Sequence, residues 1–144
     1  MRGEEIAQLA PKGIILTGGP ASVFEENAPK CDPEIWNLGI PVLGICYGQQ
    51  LMCQTLGGEV ARADMREYGK TELYCEGTGA LMRGVPERST CWMSHTNFVS
   101  RVPEGFCITA VSYTHLPAAQ DYTDRGGGLL LLRKPNRTCD RACS

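Results

Sequence analysis

Apolar positions fall into short, separated runs, and their texture changes less than halfway along the chain. Gly13-Ile14-Ile15-Leu16-Thr17 and Ile40-Pro41-Val42-Leu43-Gly44-Ile45 are continuous and rich in branched residues, with no alternating polar face. That pattern predicts strands of a parallel sheet covered on both sides. Between them, residues 21–31 are mixed and polar and suit a surface loop. Asp32-Pro33-Glu34-Ile35-Trp36-Asn37-Leu38-Gly39 then predicts a compact helix, with Asp32 as cap, Pro33 in the first turn and Gly39 as the stop. A second helix is expected over 48–56, closed by Gly57-Gly58. Upstream, Gly3-Glu4-Glu5-Ile6-Ala7-Gln8-Leu9 has the amphipathic spacing of a helix stopped by Pro11. Strand (13–17), helix (33–38), strand (40–45), helix (48–56) is the alternation of an α/β sheet with right-handed crossovers.

Beyond Gly58 the runs become polar. Residues 59–63 and 68–75 predict extended segments suited to an edge or an antiparallel pair, 81–86 a turn, and 90–94 and 106–111 two more strands. From about Ser112 the alternation stops. The expected fold class is therefore α/β: an open, mostly parallel sheet flanked by helices, flavodoxin-like in its core, with an added antiparallel segment.

With 144 residues there is room for one core. A net charge of −2 with no basic cluster gives no sign of a nucleic-acid or membrane partner and points to small-molecule chemistry. Eight cysteines would suggest disulfides in a secreted domain, but Met1 is followed by Arg2-Gly3-Glu4-Glu5 without an apolar signal core, so a reducing cytoplasm is expected. The cysteines form no Cys-x-x-Cys and both histidines stand apart from any cysteine pair, so no metal site is expected.

The candidate chemistry sits at Gly44-Ile45-Cys46-Tyr47-Gly48-Gln49-Gln50, between the second apolar run and the second helix. Gly-x-Cys-x-Gly is the thiol counterpart of the Gly-x-Ser-x-Gly elbow, a sharp strand-to-helix turn that lifts the middle side chain above the strand ends. The start of a helix favours an anion there, which marks Cys46 as a nucleophile rather than one more buried thiol. The first run ends in Gly18-Gly19-Pro20, which offers bare backbone N–H groups at the same edge of the sheet, where ligands of open α/β sheets bind. Cys46 and Gly19 are therefore expected to face one pocket. Taken alone, His95, at the end of a predicted strand, reads as a solvated turn residue.

These residues resemble the class I (triad) glutamine amidotransferases over about residues 4–111. The elbow and Gly-Gly-Pro are shared by that whole superfamily. Cys31-Asp32-Pro33-Glu34, Glu67-Tyr68-Gly69-Lys70 and Trp92-Met93-Ser94-His95 resemble its GMP synthase branch in particular. The resemblance implies that Cys46 attacks the side-chain amide of L-glutamine, releasing ammonia and leaving a glutamyl thioester that water hydrolyses. It implies oxyanion donors at the N–H groups of Gly19 and Tyr47, and glutamine-binding positions at Gln50, Ser94 and His95. It also implies a synthetase (ATP pyrophosphatase) partner, fused or separate, that uses ATP and Mg for the amination of XMP, a homodimeric parent protein, and no cofactor or metal in this domain.

Three departures accompany the resemblance. Asn97 stands where the family often has Asp, so a charge for the substrate's α-amino group is absent. The family's His-x-Glu pair, which supplies the base and its orienting carboxylate, has no match: His115 is followed by Leu116-Pro117 and no Glu occurs after Glu104. The family's first strand and helix should also precede Met1. Residues 1–111 are accordingly expected to be a partial amidotransferase domain and 112–144 a non-family tail, disordered or artefactual. Two alternatives stand beside the glutaminase: a catalytically incomplete remnant that lacks the base, and a different Cys-elbow hydrolase or amidotransferase, such as those of anthranilate or carbamoyl-phosphate synthesis.

Overall fold

The computed structural model describes residues 1–75, 80–106, 108–112 and 130–133. Strands β1 (Ile14–Leu16) and β2 (Val42–Ile45) pair in parallel, with Ile14 opposite Val42 and Leu16 opposite Gly44. Helix α1 (Gly3–Leu9) precedes them, a 3₁₀ turn (Pro33–Trp36) lies between them, and helix α2 (Tyr47–Thr55) leaves directly from β2. A second sheet has the order β4-β3-β5, all antiparallel, built from β3 (Glu59–Cys75), β4 (Arg88–Arg101) and β5 (Ala110–Ser112). The parallel pair with its helix and the added antiparallel sheet make the expected α/β arrangement. No helix among the described residues is long and apolar enough to cross a membrane.

Helix α2 joins the two sheets. Its Met52 and Cys53 are fully buried and pack in one cluster with Val42 of β2, Ile35 and Trp36 of the 3₁₀ turn and Val99 of β4. Cys53 Sγ donates to the Arg101 carbonyl oxygen at 3.4 Å, on β4, and a Cβ on Gly58 would come within 2.6 Å of that same oxygen. The helix end is thus held against the far end of the second sheet by contacts that admit no larger residue.

Asp32 links α1 to the chain between the strands. Its carboxylate accepts from Glu34 N at 3.0 Å, as the cap of the 3₁₀ turn, and from Gly3 N at 2.8 Å, one of the first free donors of α1. Gly3 is tightly placed, since a Cβ there would meet Glu34 Cβ at 2.6 Å. Helix α1 ends at Ala10, in the left-handed region with φ 44°, one residue before Pro11.

Several elements differ from their expected form. The helix expected over 33–38 is a single 3₁₀ turn, because the chain must reverse at Gly39, which has φ +69°. The two expected extended segments are one strand of 17 residues, β3, irregular in the interval expected to separate them. The strand expected over 106–111 begins only at Ala110: Gly105 turns at φ +80°, Phe106 N bonds to Pro103 O at 3.1 Å, and Phe106 packs against the core instead of pairing. Leu130–Arg133, in the stretch for which no strand was expected, forms β6 and pairs antiparallel with β2, Val42 opposite Arg133. Its run of leucines meets the free edge of β2, the kind of edge that strands seek. The rest of 113–144, including His115, lies outside the described residues.

Met52→Ala removes a fully buried side chain from the joint between the sheets and is expected to lower stability by about 2–5 kcal/mol, read from the urea midpoint. Asp32→Asn tests the link to α1. The N–H groups of Gly3 and then Glu34 hold the Asp32 carboxyl below its ordinary value, so its contribution is present above the usual carboxylate range and lost as pH falls through the lowered value. Thermal melts should show wild type above the variant near neutrality and the gap closing in acid.

Candidate active site

The turn between β2 and α2 is built by close approach of backbone to backbone. A Cβ on Gly44 would lie 2.7 Å from Gln49 Cα and 2.8 Å from Gln49 N, so the first turn of the helix rests directly on the strand it leaves. A Cβ on Gly48 would overlap the Leu16 carbonyl, and Gly48 N bonds to Thr17 O at 3.1 Å. Both elbow glycines are therefore required by contact, one against its own helix and one against the end of β1. Cys46, between them, has φ 51° and ψ −114°. For a non-glycine residue this is a strained conformation, costing on the order of 1–3 kcal/mol, held in place by the packing around it. Only Ala10 shares a positive φ among the described non-glycine residues.

Cys46 occupies the cap position of α2, half-buried, and its carbonyl takes the first helical bond, from Gln50 N at 3.1 Å. Tyr47 is the first helical residue, so its N–H has no partner within the helix. Its ring is buried with Val23 and Ala28, and its hydroxyl donates to the Pro29 carbonyl. The same residue that presents the donor thus anchors the loop that follows Gly-Gly-Pro. That loop starts beside the nucleophile: a Cβ on Gly18 would meet Cys46 Cβ at 3.3 Å and Sγ at 4.0 Å. Gly18 thus lies against Cys46. Gly19 is exposed, with nothing within 4 Å of where its Cβ would be.

The other sequence-selected residues divide. Gln50 is buried, and its Nε2 donates to the Asn97 backbone oxygen at 3.2 Å, which ties α2 to β4. Ser94 lies on β4 with an exposed side chain, on the pleat opposite the buried Met93 and Asn97. His95 stands opposite Glu67 in the β3–β4 ladder, and its side chain lies outside the described residues. Among the described residues, then, Cys46, Tyr47, Gly18 and Gln50 come together around the elbow, and the Ser94 side chain is exposed on the pleat of β4 opposite Asn97. Sequence reasoning missed Ser22, whose Oγ accepts from Asn97 Nδ2 at 3.0 Å. No spacing in the sequence connects two residues 75 positions apart.

A second thiol on the same helix makes a useful contrast. Burial pushes the Cys53 thiol up to about 11, so it stays protonated near neutral pH and packs as a small apolar group. Burial also raises Cys31.

A fold with a strained cysteine at a glycine-lined strand-to-helix elbow, facing a second glycine turn, defines a class. The chain belongs to the class-I glutamine amidotransferases, whose family model matches residues 2–124. The curated relatives it resembles are glutamine-hydrolysing GMP synthases. That of Nostoc punctiforme is 59% identical over 107 residues, 74% of this chain and 20% of the relative. That of Clostridium kluyveri is 49% identical over 122 residues, 85% of this chain and 24% of the relative. The chain thus spans about a fifth to a quarter of their length. Among solved structures, a putative GMP synthase subunit protein from Thermoplasma acidophilum superposes with a TM-score of 0.65 at 23% identity, over 94% of this chain and 62% of that one. A glutamine amidotransferase from Thermotoga maritima gives 0.59 at 24% identity, over 68% and 46%. At these identities the two structures speak for the fold alone.

Gly48→Ala is expected to destabilise the protein by about 3 kcal/mol or more, since the added carbon has only the Leu16 backbone to displace. Its urea midpoint should fall well below that of Gly19→Ala, where the space is open.

Proposed function

We propose that the chain is the glutaminase part of a GMP synthase, hydrolysing L-glutamine to supply ammonia for the ATP-dependent amination of XMP. The observation that carries this is the Cys46 elbow: a strained, half-buried thiol at a helix start, with Tyr47 as the first helical residue after it and Gly18 against it. The similarity to GMP synthases supports the choice of branch.

In this reading Cys46 Sγ adds to the side-chain amide carbon of glutamine. The charge that develops on the amide oxygen is met by the N–H groups of Tyr47 and Gly19, an interaction whose loss costs on the order of 100-fold in rate or more. The C–N bond then breaks, the nitrogen leaves as ammonia with one added proton, and a glutamyl thioester remains. Water attacks that thioester, giving glutamate and restoring the thiol. Gln50 positions the first turn of α2 by its bond to β4, and His95 and Ser94 are the remaining proposed substrate positions. ATP and Mg²⁺ would act in a synthetase domain, fused or separate. Among the described residues no group of three or more His, Cys, Asp and Glu side chains is placed to hold a metal ion, and no step here runs through one.

A second reading rests on one sequence observation, the lack of a His-x-Glu pair. A remnant that keeps the elbow without a base would still be acylated by activated reagents and would turn over slowly, since general acid–base assistance contributes roughly 100- to 10,000-fold.

Two measurements test these readings. A chloroketone or diazo-ketone analogue of glutamine should label Cys46 ahead of Cys53, and peptide mapping that finds Cys46 unlabelled would sink the glutaminase proposal. Ammonia release from glutamine should be slow for the chain as it stands and absent in Cys46→Ala. A fast rate abolished by His115→Ala would instead show that His115 supplies the base.

A further inference from the structure

The loop that follows the Gly18-Gly19-Pro20 turn has no regular structure of its own, yet the second sheet holds it at two adjacent points. Asn97 and Arg62 are direct partners across β4 and β3. Asn97 Nδ2 donates to Ser22 Oγ at 3.0 Å, and the Arg62 guanidinium lies over the Phe24 ring at 5.0 Å. Asn97 is buried, and its own carbonyl accepts from Gln50 of α2 at 3.2 Å. One residue therefore contacts both the glycine-turn loop, through its side chain, and the helix that starts at the nucleophile, through its backbone. Ser22 is the inner anchor: its Oγ also accepts from Phe24 N at 3.4 Å and its N–H donates to Glu25 at 3.1 Å, so the Asn97 bond fixes a loop that is already folded on itself.

Just beyond this cross-strand pair the ladder breaks. Between Arg62↔Asn97 and Glu67↔His95, β3 advances five residues while β4 advances two. The extra residues of β3 are accommodated as an irregularity that starts where the loop is gripped, the kind of local insertion that re-aims side chains beside active sites.

We propose that Asn97 and Arg62 form a clamp in which Asn97, through Ser22, is a positioning residue that holds the Gly18-Gly19 turn at a fixed distance from Cys46. The neutral amide suits this role because it donates to a serine hydroxyl without bringing a buried charge, which would demand a counter-ion. The clamp sets how well the turn's N–H groups meet an oxyanion formed at Cys46. It does not set the supply of thiolate. Its consequence for rate rests on the glutaminase reading, whereas its effect on the loop does not.

The experiment uses the full chain with Ser22→Ala, Ser22→Thr, Asn97→Ala and Asn97→Ala/Ser22→Ala, and two reagents. Iodoacetamide reports the thiolate alone, and the chloroketone analogue of glutamine reports thiolate plus oxyanion contacts. The ratio of the chloroketone rate to the iodoacetamide rate is expected to fall about 10-fold in each Ala variant, with the loss in the maximal inactivation rate rather than in half-saturation. The double variant should fall no further than the worse single one, as for two halves of one bond, and Ser22→Thr, which keeps the hydroxyl, should hold the wild-type ratio. Amide hydrogen exchange read on residues 18–24 should speed up in Ser22→Ala and Asn97→Ala and remain at the wild-type rate in Ser22→Thr. An unchanged exchange rate, or additive losses, overturns the clamp. If wild type shows no preference for the chloroketone over iodoacetamide while exchange responds as stated, the clamp stands and the glutaminase reading falls. Ser22 is only half-buried, so its variants keep the test decisive if Asn97→Ala does not fold.

Discussion

The first turn of α2 lies directly on the ends of two strands, and most of the molecule follows from that contact. Gly44 and Gly48 face backbone at distances that exclude any Cβ. With the helix start fixed so closely, the residue between the glycines has little choice of conformation. Cys46 is driven into a positive φ that a non-glycine residue avoids unless its surroundings leave no alternative. Those surroundings are the core itself: the far half of α2 is pinned by Met52 and Cys53 between β2 and Val99. Strain at the thiol and burial at the middle of the helix are thus two ends of one lever. Loosening the core would relax the elbow.

The same contact explains why two sheets are needed. A parallel pair as short as β1 and β2 covers only one side of α2, and Val99 and the Gln50–Asn97 bond from β4 supply another. The antiparallel sheet therefore serves the site without contributing to the elbow. It buries the helix, carries the ladder positions of Ser94 and His95, and grips the loop after the glycine turn. The residues that grip it come from the polar, less patterned part of the chain.

That division also decides what the sequence reveals. The elbow was legible because local sterics dictate it: glycine at both flanks, an apolar strand before and a helix after. Cap and stop residues at Asp32 and Gly39 were legible for the same reason, although the short span between them closed as a 3₁₀ turn. Long-range features were not. Nothing in the pattern says that Gly18 lies against Cys46, because that depends on how the end of β1 sits beside β2. The exposed side chain of Ser94 depends on the β3–β4 register, and a register is a property of two strands. The apolar neighbours of Phe106 suggest a strand, but the turn at Gly105 sends it into the core. The pairing of Leu130–Arg133 with β2 joins segments about 90 residues apart, an association that sequence periodicity does not encode.

Under the proposed reading, forming a thioester and completing a catalytic cycle place different demands on the protein. Attack needs a positioned thiol and donors for the oxyanion. In the proposed reaction both would come from residues 18–50, where backbone contacts fix the geometry of the elbow. Turnover needs a group that moves protons to the leaving nitrogen and from the attacking water. In the family that role falls to a His-x-Glu pair, a spacing that residues 1–144 do not contain. Because the elbow is held by glycines, the core and the second sheet, its geometry does not depend on the identity of the base. Loss or gain of the base would therefore change the rate of the cycle by orders of magnitude while leaving the reactive conformation of Cys46 intact.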